Sequence, residues 1–209
     1  MRHRRRGRKL GRNPSHQRAL LRNLASALFL TERDAEFDDN APKVKGRIVT
    51  TLPKAKEVRP LVEKCITIAR RALSAQEAAD RLNTSAERNS DAWRSWREGK
   101  GWQEWNQAIA PVIAARRHTL RLLGDKQAVR ILFAEIAPRF ADRPGGYTRI
   151  LKLAKPRLGD AGDRAILEFV GVHDRVAQRS PKPAFDAPES EPQSSQPEPA
   201  AAGSEAASE

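Results

Sequence analysis

The sequence predicts an α+β protein, a small sheet backed by helices. Two observations carry this. Apolar residues recur at three-and-four spacing over residues 14–28, 55–73 and 126–140, and short apolar-rich runs bounded by turn residues fall at Arg47–Thr51, Tyr147–Leu153 and Ala165–Val170. To these the chain adds a basic N-terminal arm, an extra helical segment and an acidic tail.

The arm comes first. From Met1 to Arg22 the chain has nine Arg or Lys residues and no acid, so this segment cannot neutralise itself. Residues 2–9, RHRRRGRK, bury almost nothing apolar and repel one another, which predicts an extended or disordered arm that a polyanion orders. The first helix follows, with Asn13 as N-cap and Pro14 at its first position. Leu20, Leu21, Leu24 and Leu28 share one stripe of it, while Arg18 and Arg22 share another.

Glu32–Asn40 is acidic and aperiodic, and is expected to be a surface excursion leading into the first strand. In the next helix Ala55, Val58, Val62, Cys65, Ile66, Ala69 and Leu73 form the buried face; Pro60 should kink it or split off its first turn. Cys65 has no partner for a disulfide and is expected to act as a small buried hydrophobe. Residues 74–113 differ in kind: they hold all four tryptophans, as WRSW and WQEW, around a Gly99, Lys100, Gly101 break. The pairs Trp93 with Trp96, and Trp102 with Trp105, are spaced to share helix faces, which favours packing of the segment over base stacking. A third core helix spans about Lys126–Phe140, capped by Asp125, with Val129, Leu132, Phe133, Ile136 and Phe140 inward. Gly159, Asp160, Gly162 and Asp163 suit a loop between the last two strands. Beyond Val176 the composition turns to Pro, Ser, Ala and Glu, and the tail is expected to be disordered.

The charge of +13 points to a polyanion, with RNA, DNA and anionic lipid all open on composition alone. The segment 181–209 carries −5, leaving +18 for residues 1–180. No apolar run is long enough to span a bilayer and the basic start lacks the apolar stretch of a secretory signal, so a cytoplasmic protein is expected. His3, His16, His118 and His173 form no ligand motif, and there is no second cysteine, P-loop or GxGxxG fingerprint. Neither an enzyme nor a metal or organic cofactor is expected.

Three blocks, MRHRRRGRKLGRNPSHQRALLRNL at the start, TTLPKAKE at Thr50–Glu57 and APRFADRPGGYTRILKL at Ala137–Leu153, closely resemble the bacterial large-subunit ribosomal protein family numbered seventeen. The resemblance covers roughly residues 1–30, 46–73 and 114–172. It implies a three-stranded sheet with helices and a structural, non-catalytic role. It also implies binding to large-subunit ribosomal RNA near the nascent-peptide exit, among neighbouring large-subunit proteins and with no membrane or small-molecule substrate. Residues 33–45 and 75–113 look like insertions relative to that family, and the acidic tail is longer than usual. The expected organisation is therefore an RNA-binding arm over 1–12, one core built from 13–74 and 114–175, an inserted helical module over 75–113 and a disordered tail over 176–209.

The candidate RNA-binding residues fall in three groups. Arg2, His3, Arg4, Arg5, Arg6, Arg8, Lys9, Arg12, His16, Arg18 and Arg22 form the arm and its continuation on the first helix, where guanidinium forks suit closely spaced phosphates; a solvated basic tail is the alternative. Arg143, Gly145, Gly146, Tyr147, Thr148, Arg149 and Lys152 form a turn whose glycines let backbone amides approach phosphate and whose tyrosine could stack on a base; a tight turn with a half-buried tyrosine is the alternative. Lys54, Lys56 and Arg59 lie off the buried stripe of their helix, as RNA contacts or as a solvated face. A DNA-compacting protein using the same arm is the competing function.

Overall fold

The computed structural model describes residues 7–11, 13–35 and 38–171. Helix α1 (Pro14–Leu30) begins as expected, with the Asn13 side chain accepting the Ser15 amide hydrogen at 2.9 Å. Ala25, Leu28 and Phe29 of α1 are fully buried. At its end the Thr31 hydroxyl donates to the Leu28 carbonyl at 2.6 Å and accepts from the Gly46 amide at 3.0 Å, tying the helix to the approach of the first strand.

Strand β1 (Arg47–Thr51) runs directly into helix α2 (Leu52–Arg71). The six residues from Ala55 to Ala69 expected on the α2 inner face are all fully buried, Cys65 among them. Pro60 does not split the helix, which is continuous through it. The ring costs the bond that an amide at 60 would make to the Lys56 carbonyl, and burial of the opposite face outweighs that loss.

Helix α3 (Leu73–Leu82) follows with only Ala72 between, then α4 (Asp91–Glu98) and α5 (Lys100–Leu123). Gly99 separates α4 from α5, at the break foreseen in the sequence. The expected boundary at 113/114 falls inside α5, which passes through it uninterrupted. Helix α5 packs with α3 and α4, and its C-terminal turns bring Leu120, Leu122 and Leu123 to the core. The tryptophans pack on one another: Trp102 stacks on Trp105 with centroids 5.0 Å apart, and Trp96 meets Trp102 edge-on at 5.5 Å.

Helix α6 (Lys126–Ile131) is capped by Asp125, whose Oδ1 accepts the Gln127 and Ala128 amide hydrogens at 2.8 and 3.3 Å. It continues through one π turn (Leu132–Ile136) into a final turn, α7 (Ala137–Arg139). The π turn was not foreseen, and Pro138 accounts for it. A regular helix would set the proline ring against the carbonyl of residue 134, whereas the wider turn lets the Ala137 amide bond the Leu132 carbonyl instead.

Strands β2 (Thr148–Lys152) and β3 (Arg164–Phe169) complete a three-stranded antiparallel sheet of order β1-β3-β2. Its register pairs Ile48 and Ile150 with Leu167, and the row Ala165, Leu167 and Phe169 faces the helices. Phe169 stacks on Phe29 at 6.0 Å and tilts against Phe140, which in turn packs on Tyr147 at 5.2 Å. This aromatic group closes the sheet onto α1 and α7.

The expectation of an acidic surface excursion from Glu32 is corrected at its first residue. Glu32 is 7% exposed and accepts two hydrogen bonds from the Arg139 guanidinium, at 2.8 and 3.1 Å. A carboxylate so placed leaves water only because a planar fork satisfies both its oxygens.

Candidate nucleic-acid interface

Of the arm, Gly7–Gly11 are described; Arg2, His3, Arg4, Arg5, Arg6 and Arg12 lie outside the described residues. The root of the arm is pinned to α2. Gly7 donates its amide hydrogen to Glu57 Oε2 at 3.1 Å, Arg8 Nε lies 3.7 Å from Glu57 Oε1, and Gln17 donates to the Arg8 carbonyl at 2.6 Å. Glu57 thus holds the arm without neutralising it, one carboxylate against many cations. Lys9, His16 and Arg18 are exposed, and the His16 ring lies so close to Gly11 that a Cβ there would stand 2.7 Å from it. Arg22 is exposed as expected but donates to the Arg121 carbonyl at the end of α5, at 3.1 Å.

Two grooves open beside the start of α2. One, of about 450 Å³, lies between Arg8 and Leu10, the start of α2 with Lys54 and Lys56, and the β2–β3 loop. The other, of about 490 Å³, lies between α2 and edge strand β2, lined by Lys56, Arg59, Arg149 and Lys152 among others. Lys56 belongs to both, so the structure brings the arm root, Lys54, Lys56, Arg59, Arg149 and Lys152 into one continuous basic track.

Carboxylates sort these cations. Arg59 donates to Glu63 at 3.1 Å, and Arg149 donates to Glu168, which Arg47 also approaches at 3.3 Å from the opposite strand. Among the described residues Lys54, Lys56 and Lys152 hold no ion pair, which leaves their charge directed at whatever enters the grooves. By contrast, the three arginines of the cleft near Arg139, Arg47 and Arg149 are each paired with Glu32 or Glu168, although Lys45 also lines it.

The glycine turn is partly corrected. Gly145 and Gly146 are exposed, Gly146 with φ +64, and Arg143 donates to the Gly145 carbonyl at 3.3 Å. The left-handed backbone at 146 is one a glycine adopts without Cβ strain. Tyr147, however, is 1% exposed against Phe140, so its ring is a core element and is not offered to a base. Thr148 is likewise buried, its hydroxyl donating to Glu63 at 2.9 Å. The two are buried for separate reasons: Tyr147 precedes β2 and packs on Phe140, while Thr148 opens the strand and reaches Glu63 of α2.

Sequence reasoning missed Glu57, Glu63, Glu168 and Gln17, which position the cations. The four-residue spacing of Arg59 and Glu63 on one helix could have revealed that pair; Glu168 depends on strand register and had no local signal. Among the described residues no group of three His, Cys, Asp or Glu side chains could hold a metal, and no helix is long and apolar enough to cross a membrane. Burial pushes the Cys65 thiol up to about 12, leaving it an unreactive hydrophobe.

Comparison with known sequences decides the assignment. The family described as "Ribosomal protein L17" matches residues 20–170. The chain belongs to the ribosomal protein L17 family. A relative from Rhodopirellula baltica, named large ribosomal subunit protein bL17, is 64% identical over 193 residues, covering 91% of this chain and 92% of the relative. Relatives with the same name from Desulfovibrio desulfuricans and Thermus thermophilus are 37% identical over 188 residues and 38% identical over 170; these cover 90% and 81% of this chain, and 79% and 99% of the relatives. Membership of the L17 family makes the chain a ribosomal structural component and not an enzyme.

Proposed function

We propose that the protein is a structural constituent of the bacterial large ribosomal subunit, in the cytoplasm, and binds large-subunit ribosomal RNA near the nascent-peptide exit, beside neighbouring large-subunit proteins. The observation that carries the RNA-binding reading is the continuous basic track from Arg8 through Lys54 and Lys56 to Lys152, uncompensated at its lysines and joined to an arm with no acid. Phosphates set a few ångströms apart along RNA need this kind of array, and counterion release supplies the affinity. Arg143 and the Gly145–Gly146 turn stand at the end of β2 opposite Lys152 and extend the surface. No cofactor takes part.

Sedimentation in a salt series tests the proposal. The protein should remain stoichiometric with large subunits at moderately high salt, because shape and 2′-hydroxyl contacts add to charge. Lys54→Ala with Lys56→Ala should weaken binding to large-subunit RNA and flatten its salt dependence, by roughly 0.7–0.9 in log–log slope for each phosphate no longer neutralised. Recovery of the protein mainly on DNA, or a slope unaffected by removing both lysines, contradicts the reading.

A further inference from the structure

The β2–β3 connection carries an unusual side chain: Leu158 is 99% exposed, while among the described residues the other exposed large hydrophobics reach at most 53%. The loop that presents it is braced. Arg157 donates its amide hydrogen to the Gly162 carbonyl at 3.0 Å and its Nε hydrogen to Asp160 Oδ1 at 2.8 Å, a second guanidinium bond reaches Asp160 Oδ2, and the Gly162 amide donates to Oδ1 at 3.3 Å. The Arg157 guanidinium, and after it the Gly162 amide, hold the Asp160 carboxyl well below the usual carboxylate range, so the brace persists in its ionised form at neutral pH. A leucine fixed in water forgoes hydrophobic stabilisation, which burial against a partner would recover.

The surroundings specify the partner. Lys155 is exposed beside the tip, and Arg157, Asp160 and Asp163 line the groove whose other walls carry Arg8, Lys54 and Lys56. Leu158 stands between Arg157 and Gly159, a single apolar side chain flanked in the chain by a cation and a glycine. The loop's own charges are mixed, with Arg157 paired to Asp160, but through Arg157 the apolar tip adjoins a groove whose far walls carry Arg8, Lys54 and Lys56; that combination matches RNA, which offers an apolar base face next to phosphates.

We propose that the β2–β3 loop is a separate RNA-contacting element, in which Leu158 wedges against an unstacked base while Lys155 and the groove lysines hold the flanking phosphates. This rests on the RNA-binding reading above and adds a residue that reads shape, where the basic track reads charge.

Two measurements test it. Leu158→Ser should weaken binding to a large-subunit RNA transcript by about fivefold or more, with the salt slope and thermal midpoint unchanged, because neither a charge nor a packed group is removed. Wild-type affinity in this variant overturns the proposal. In the second, an iron chelate is tethered through Leu158→Cys; buried Cys65, its thiol pushed up to about 12, does not compete for the label. In reconstituted subunits, hydroxyl radicals from the chelate should cut one discrete RNA segment. Scission confined to neighbouring proteins, or no RNA scission, overturns the proposal. Failure of the wild-type protein itself to bind the transcript would instead remove the RNA-binding reading, and this inference with it.

Discussion

At the scale of single residues, the structure is held by a few charges that pattern alone did not place. Arg139 is the clearest. Its guanidinium is held above its usual range, first by the side-chain hydrogen bond to Glu32, and the carboxylate it satisfies is nearly out of water. Arg139→Met should cost roughly 2–4 kcal/mol in a urea titration, because it strands a buried charge; the arginine's partial exposure sets the lower end. Arg139→Met with Glu32→Leu should recover much of the loss. Cys65 makes a different prediction. Its thiol ionises near 9.0 in the unfolded chain and at about 12 in the fold, so the unfolded state loses its proton first. Stability from this group is therefore complete below pH 9 and falls above it by about 1.4 kcal/mol per pH unit. Cys65→Ala should remove that alkaline component from the pH dependence of the urea midpoint.

Elements were legible where a period or a cap marked them. The Asn13 and Asp125 caps, the inner face of α2 and the bounds of β1 emerged as expected, since each depends on neighbours within a few residues. Glu32 and Tyr147 were misread for the opposite reason: their surroundings come from residues more than a hundred positions away in one case and from the strand's entry into the sheet in the other. The basic residues were legible as a set, but their sorting into paired and unpaired groups depends on Glu57, Glu63 and Glu168 and required the fold. The tryptophan pairs show the same limit, because spacing predicted packing but not that Trp96 would reach across Gly99 to Trp102. With Arg97 5.0 and 4.9 Å from the Trp93 and Trp102 rings, α4 and α5 form an aromatic hairpin. Trp102→Ala should cost about 3 kcal/mol or less, since the ring is only half-buried. Faster amide exchange should appear in α4 while α2 remains protected; equal loss of protection in α2 would show that the hairpin is part of the central core.

For the whole molecule, charge is distributed unevenly, and that asymmetry links fold to function. Glu32 and Glu168 pair the arginines of the cleft around Arg139, Arg47 and Arg149, whereas the track formed by the arm root, the start of α2 and strand β2 retains its lysines unpaired. The core positions that track through α2, which anchors the arm at Glu57 and forms one wall of both grooves. The most direct measurement is a map of protein–RNA crosslinks in intact large subunits. Crosslinked residues should fall in the arm, at Lys54 to Arg59 and along Arg143 to Leu158. Crosslinks confined to the aromatic hairpin, or to the Glu32–Arg139 side, would contradict the account.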